Sequence, residues 1–308
     1  MTSAIILTDG KAGHENQSKA LARALGFADA PIVKVAFRSR FCKTLSYILD
    51  HLRIRTLALL DAQLPPLKPG TIVIGTGSGT FYAAKAVACR CLGRAAVVLY
   101  PRGYHIPSFD AILAPEFDNP IPAHNVVRIP ANLVAADESF YDEGVEKFRA
   151  HAGGIPEGVK VGVIIGGPNK CSTMTRGWAH QMLTRLFSAH KGAKFFVTTS
   201  RRTPEDVEEV VDSFPWDYKL IYSRDHFNPI PAFVKLCDFL YVSAESTGMI
   251  SEACTCGGAE VRVMDNLNPG PHKFRRFVEN LAQGGYVGGR RKIDLAPQFA
   301  AVRKLLAL

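Results

Sequence analysis

The chain has 308 residues, 47% apolar and 21% charged, the balance of an ordinary soluble globular protein whose length asks for two domains rather than one core. No apolar run approaches the ~18 residues of a membrane span, and the opening MTSAIILTDG lacks the basic region and cleavage site of a signal peptide. The net charge of +9 is spread along the chain, 17 basic against 13 acidic residues in 1–153 and 20 against 15 in 154–308; no basic domain or nucleic-acid motif stands apart, so the sequence predicts no nucleic-acid partner. Seven cysteines include the pairs Cys89/Cys91 and Cys254/Cys256 without the companions a zinc site needs, which predicts reduced thiols in a cytoplasmic protein and no metal.

In chain order, Ala4 to Thr8 reads as a first buried strand, Asp9 to Asn16 as a loop, and Gln17 to Leu25 as a helix with apolar residues at Ala20, Leu21, Ala24 and Leu25. The loop holds two glycines, a lysine, a histidine and two acids at a strand's C-terminal edge, where open α/β sheets bind ligands. His14 is a candidate general base and Lys11 a candidate phosphate contact, or the segment is a polar turn that caps the helix. Residues 34–55 carry six basic side chains against one acid, with Phe37, Phe41, Leu45, Leu49 and Leu52 between them. That pattern predicts a basic amphipathic helix, either a solvated surface helix or one lying on an anionic membrane. A second glycine-rich turn, Gly75 to Thr80, follows the strand Thr71 to Ile74, but the dinucleotide spacing and the ribose-binding acid are missing, which disfavours a nicotinamide cofactor. Short strands at 111–113 and 126–129 and a helix over 137–152 complete a first domain ending at 153, and Gly153 to Gly158 reads as the linker.

The second domain, 158–290, restarts the alternation. The continuous apolar run Val159 to Ile165 marks a doubly buried parallel strand. It empties into Gly166-Gly-Pro-Asn-Lys170, a loop suited to phosphate; the strand 194–197 ends at Thr198-Thr-Ser-Arg201-Arg202. After the strand 218–222, Phe239 to Val242 runs into Ser243-Ala-Glu-Ser-Thr-Gly248 and a helix. Amides near Thr247 and Gly248 suit a pyrophosphate, and Glu252, about one and a half turns on, suits ribose hydroxyls. An ordinary buried strand–helix unit with a Ser243 or Ser246 cap would read the same way. A last helix, 297–308, is expected to pack back on the first domain.

Two α/β halves with polar, glycine-rich loops at their strand ends predict facing Rossmann-like domains with a ligand in the cleft. The segment Ser251-Glu-Ala-Cys-Thr-Cys-Gly257 is similar to the S-E-x-x-x-x-G segment of GT-B glycosyltransferases such as the N-acetylglucosaminyltransferase that completes lipid II, in which the matching glutamate holds the ribose. Gly13-His14 is similar to the G-G-H loop after their first strand. Nearly the whole chain resembles the mitochondrial-fission "elongated mitochondria" family, whose bacterial members carry the loose label of nucleoside-diphosphate-sugar epimerases. The resemblance rests on Asp9 to Ser18, Phe109-Asp110 through Ala114 to Asp118, Gly166 to Lys170 and Ser246 to Gly257. Phe117 stands where relatives commonly carry histidine, which speaks against catalysis there. The resemblance implies a GT-B-like fold and three readings. The leading one is metal- and cofactor-independent transfer from a nucleotide-diphosphate sugar, with Gly13, Gly167, Asn169, Lys170, Thr199, Arg201, Ser246, Thr247, Gly248 and Glu252 as donor contacts and His14 toward an acceptor. An epimerase needs groups on both faces of the sugar, from among His14, His226, Glu245 and His272. A membrane-associated scaffold would act through residues 34–55 without turnover.

Overall fold

A computed structural model describes residues 2–308. The chain divides into two compact units, one built from residues up to Ala135 together with Asp294–Leu308, the other from Ala136–Ile293. Each is a Rossmann-like α/β unit around its own sheet.

The first unit runs β1 (Ala4–Thr8), α1 (Ala12–Ala24), β2 (Ile32–Phe37), α2 (Arg40–His51), β3 (Leu60–Ala62), β4 (Ile72–Thr76), α3 (Phe81–Arg90), β5 (Arg94–Val98), β6 (Ala111–Pro115) and β7 (Val126–Ile129). Its strand order is β3-β2-β1-β4-β5-β6-β7, parallel except for the edge pair β2/β3. The apolar runs of β1, β4, β5 and β6 are buried along their length because helices cover both faces of the sheet. Two sequence expectations change here. Helix α1 begins at Ala12 rather than near Gln17, because the Asp9 carboxylate accepts from the Lys11 amide (3.3 Å) and Gly10 adopts φ +81°, turning the chain within two residues. Residues 34–55 are not one helix. Val33, Val35 and Phe37 alternate inward with the period of a strand, and α2 starts only after Ser39, whose hydroxyl accepts from the Cys42 amide (3.1 Å).

Helix α2 is seated by a buried charge cluster. Asp50, fully buried, meets the Lys85 ammonium of α3 at 2.5 Å and the Arg55 guanidinium at 3.1 Å, and accepts from the His105 amide at 2.6 Å. Burial draws the Lys85 pKa down to about 8 against the pull of Asp50. Lys85 also lies 3.9 Å from the Phe109 ring centroid and donates to Ser108 (3.0 Å), so every charge in the cluster has a partner.

The second unit runs α4 (Glu138–Ala152), β8 (Lys160–Ile164), α5 (Arg176–Ala189), β9 (Lys194–Thr198), α6 (Glu205–Asp212), β10 (Tyr218–Leu220), α7 (Ile230–Leu236), β11 (Phe239–Ser243), α8 (Thr247–Thr255), β12 (Glu260–Met264) and α9 (Lys273–Gln283), in the all-parallel order β10-β9-β8-β11-β12. Helix α4 corrects the expected boundary at 153. Tyr141, Gly144 and Phe148 form its buried face, and that face packs on the second sheet. Phe148 lies 4.6 Å from Tyr218, 5.6 Å from Phe196 and 5.9 Å from Phe233 between ring centroids. Gly144 lets α4 approach α7 so closely that a Cβ there would meet Pro231. Gly153, at φ +72°, ends α4 as a left-handed cap, with the Gly154 amide bonded to the Arg149 carbonyl (3.1 Å), so the glycine pair closes a helix instead of separating domains. The chain then leaves the second unit at Ile293, and α10 (Ala296–Leu305) packs beside β6 and β7 of the first. Arg303 donates to the Ala24 carbonyl and Arg94 to the Leu305 carbonyl, each at 3.2 Å.

These contacts predict that a fragment of residues 136–293 unfolds cooperatively on heating, whereas residues 154–293, lacking α4, leave Phe196 and Phe233 uncovered and lose the transition. Equal cooperativity of the two fragments in circular-dichroism melts would place the boundary back at the glycines.

Candidate functional site

In each sheet the strand order reverses once, between β1 and β4 in the first unit and between β8 and β11 in the second. At such a point neighbouring strands send their connections to opposite faces, leaving a crevice at their carboxyl ends that suits a ligand. Most of the residues singled out in the sequence lie at these two edges.

In the first unit the crevice holds an acid–imidazole pair. His14, in the first turn of α1, has Nδ1 3.1 Å from both carboxylate oxygens of Asp9, and the Lys11 ammonium is 3.1 Å from Oδ2. Burial works against the Asp9 carboxylate, but the hydrogen bond from Lys11 and the charge of His14 more than offset it, and its pKa lies below the ordinary aspartate value. An ionised Asp9 fixes the tautomer with the proton on Nδ1, so Nε2 presents the lone pair a general base needs. The glycine-rich turn after β4 makes room for the pair. A Cβ on Gly77 would lie 2.6 Å from His14 Nδ1, and one on Gly79 would lie 2.7 Å from the Asp9 Cβ. Gly77 also sits at φ +82°, so both space and backbone require glycine there. Ser78, between them, accepts from the Lys43 ammonium of α2 at 3.2 Å. Gly13 is exposed on α1, and a side chain there would meet nothing within 4 Å. Phe117 is buried, as a packing residue would be.

The second unit closes its crevice differently. Glu245, 3% exposed, accepts from the Gly167 amide (3.0 Å), the Ser243 hydroxyl (3.0 Å) and the Asn266 amide group (2.8 Å), so one carboxylate ties together the loops after β8, β11 and β12. The Gly166 amide in turn donates to Ser243 Oγ at 2.8 Å. This corrects the expected phosphate cradle: the amides of Gly166 and Gly167 are spent inside the protein, and Gly167 is glycine because the Arg202 backbone packs where its Cβ would be. Thr199 is corrected too. It is buried, donates to Glu208 (2.7 Å) and accepts from the Tyr222 amide (2.8 Å), fastening β9 to α6 and the β10 edge. Asn169 closes a turn, its Oδ1 accepting from the Cys171 amide (2.7 Å). Lys170 and Arg201 stand exposed on the same rim.

The start of α8 follows directly on the β11 loop. Ser246 occupies the cap position without a side-chain cap, and the first i→i−4 bond is Ile250 N to Ser246 O (3.0 Å), so the amides of the first turn have no carbonyl four residues back within the helix. Thr247 is half-buried, while Gly248 is exposed with open space around it. Glu252, half-buried, accepts from the Tyr141 hydroxyl of α4 at 3.0 Å. Burial raises its pKa, which that hydrogen bond counters, while burial and the neighbouring Glu252 push the Tyr141 phenol far up. Tyr141 and Cys256 line a cavity of about 460 Å³ with Lys235, Glu138 and Gly257 at its walls. Of the remaining histidines, His272 caps α9, accepting from Arg275 N (3.3 Å) and donating to the Asn268 carbonyl (3.2 Å), while His226 is exposed against the Tyr222 ring at 4.7 Å. Among the described residues, no three His, Cys, Asp or Glu side chains gather as a metal-binding group.

A family model for mitochondrial fission ELM1 matches residues 12–292. The chain belongs to the mitochondrial fission ELM1 family. The match takes in His14, both glycine-rich turns and the β11–α8 junction. The uncharacterised protein RP120 of Rickettsia prowazekii (strain Madrid E) is 29% identical over 129 residues, 39% of this chain, and the match spans 36% of that protein's length. Among solved structures the fold is similar to the UDP-GlcNAc 2-epimerase from Neisseria meningitidis bound to UDP-GlcNAc, at TM-score 0.51 and 14% identity over 99% of this chain and 98% of that one. It is also similar to the UDP-GlcNAc 2-epimerase from Methanocaldococcus jannaschii, at TM-score 0.53 and 11% identity over 96% and 95%. At these identities the likeness is one of fold, and the family member carries two GT-B-like, Rossmann-type units.

The Glu245 knot yields a direct expectation. Replacing Glu245 by alanine strands three donors, each costing about 1–3 kcal/mol where it stays unsatisfied. The second unit should melt at lower temperature and hydrogen exchange at Gly167 should accelerate; unchanged exchange at Gly167 would show that the carboxylate does not hold that loop.

Proposed function

We propose that this family member binds a nucleotide-diphosphate sugar and transfers the sugar without a metal, the second unit taking the donor and the first unit's His14 taking the proton of an acceptor hydroxyl. The observation that carries this reading is the Asp9–His14 pair at the strand-order reversal of the first sheet, a single oriented base of the kind an acceptor hydroxyl requires. Lys170 and Arg201 on the rim and the first-turn amides of α8 are the groups that would take the leaving diphosphate. Similarity to proteins named as UDP-GlcNAc 2-epimerases supports a nucleotide sugar as the ligand class and keeps epimerisation as the second reading. That second reading loses two of its four candidate groups, since Glu245 is enclosed by three donors and His272 serves as a helix cap. It retains His14 and His226.

The expected behaviour is stabilisation by a uridine or guanosine diphosphate sugar in a thermal-shift series, about 2.7 kcal/mol at a hundredfold excess over Kd. Glu252→Gln should weaken nucleotide binding by about 1.5–3 kcal/mol in calorimetric titration if its carboxylate serves the ribose. Unchanged affinity would confine Glu252 to its Tyr141 contact. Turnover that frees the diphosphate from its sugar supports transfer, whereas inversion with the diphosphate retained supports epimerisation.

A peripheral membrane contact belongs to the same proposal. No described helix is long and apolar enough to cross a membrane, but α2 and the residue that caps it expose Phe41, Ile48 and Leu52 at spacings of seven and four, Phe41 to 73%, with Arg38, Arg40 and Arg53 exposed around them. Flotation with anionic vesicles should recover the protein in a salt-sensitive way, at about 1 kcal/mol per engaged basic residue. Equal recovery with neutral vesicles would remove the electrostatic part, and none with either would leave α2 a solvated helix.

A further inference from the structure

Three lysines from three separate elements reach the two loops that meet at the Asp9–His14 pair. Lys11 comes from the β1–α1 turn, Lys34 from β2, where it pairs in register with Thr8 of β1, and Lys43 from α2. Lys34 lies against the same turn, its Cε 3.5 Å and its Nζ 4.0 Å from where a Gly10 Cβ would stand. Lys43 reaches across to Ser78, in the loop whose flanking glycines pack on His14 and Asp9. The carboxylates nearby do not balance this charge. Asp9 already serves Lys11 and His14, and Glu15 is held by Lys19 at 2.7 Å. Lys43 is matched with a neutral hydroxyl, so the edge keeps a positive excess even with Asp61 on the groove that Lys34 lines, where the reversal of strand order opens a crevice.

We propose that this edge of the first unit binds a phosphate group through Lys34, Lys43 and Ser78, immediately beside His14. Ammonium groups on flexible stems, together with a hydroxyl, suit a compact, multiply charged tetrahedral anion, whereas a planar carboxylate calls for a guanidinium fork. The proposal deepens the transfer reading, on which its functional meaning rests: the acceptor is a phosphorylated molecule whose phosphate positions a nearby hydroxyl at His14 Nε2. One chemistry covers two sources, a soluble phosphate ester and a phospholipid headgroup. Lys43 shares α2 with the exposed Phe41 and Ile48, and Leu52 follows at its end, so either source could reach the same side chains.

The test is residue-resolved NMR of the full chain titrated with inorganic pyrophosphate in the presence of excess UDP, which occupies a donor site in the second unit. The expected result is movement of the Gly77, Ser78 and Gly79 amide signals, with affinity falling at least tenfold in a Lys34→Ala/Lys43→Ala double variant and by less than twofold in Lys170→Ala. Lys43→Arg, which keeps the charge, should restore most of the Lys43 share and excludes misfolding as the cause. Signals that stay still, or an equal loss in Lys170→Ala, would overturn the proposal. Vesicles of phosphatidylcholine with and without phosphatidic acid identify the source: binding that needs phosphatidic acid, falls in the double variant and is displaced by pyrophosphate assigns a lipid headgroup, and its absence beside a positive titration assigns a soluble ester. Nucleotide binding without pyrophosphate shifts removes this proposal alone, while pyrophosphate shifts without any nucleotide binding leave it standing and remove the transfer reading.

Discussion

Wherever a parallel sheet reverses its strand order, two adjacent strands end with nothing crossing between them, and the protein must either fill that gap from within or leave it for a ligand. Both units face this constraint and answer it differently. The first leaves an imidazole held by an aspartate, with glycines at 77 and 79 cut away to admit them. The second fills the gap with the Glu245 carboxylate, which takes up the Gly167 amide and ties the loops after β8, β11 and β12 together. The two edges therefore differ in what they present: an imidazole oriented by an aspartate at the first, a rigid rim beside a helix start at the second.

Much of the architecture was legible because buried parallel strands write themselves as apolar runs. β1, β8 and β11 were each expected within a residue or two of where they lie, and the polar segments after them are the loops at the reversals. What escaped the sequence follows from contacts between distant residues. Helix α4 was assigned to the wrong unit because its composition says only that it has an apolar face, while Phe196, Tyr218 and Phe233, which receive that face, arrive some fifty to eighty residues later. Residues 34–37 looked helical because alternating Val33, Val35 and Phe37 merged with the helical spacing that begins at Phe41. The short antiparallel β3 gives almost no periodic signal at three residues.

The candidate site was legible in part for the same reason. His14 stood out by its place at a strand end, but its partner was hidden in plain view, since Asp9 lies five residues earlier and meets it only because Gly10 folds the chain back. Gly166 and Gly167 looked like a phosphate loop because glycine pairs serve close approach of any kind; here the approaching groups are Ser243, Glu245 and the Arg202 backbone. Thr199 illustrates the converse, a hydroxyl at a strand end whose hydrogen bonds are all internal.

The cluster of Asp50, Lys85 and Arg55 also bears on how such a chain can drift through time. Two cations share one buried acid, so losing Asp50 alone strands the buried Lys85, whereas losing either cation still leaves Asp50 a partner, and a joint change to packed apolar side chains can be neutral. Asp50 is thus the member of the set that cannot change by itself, and the two cations have more latitude. Because Asp50 sits on α2, that linkage reaches the helix that presents Lys43 on one side and Phe41 on another, and the surface of α2 is free to diversify while its seat is not.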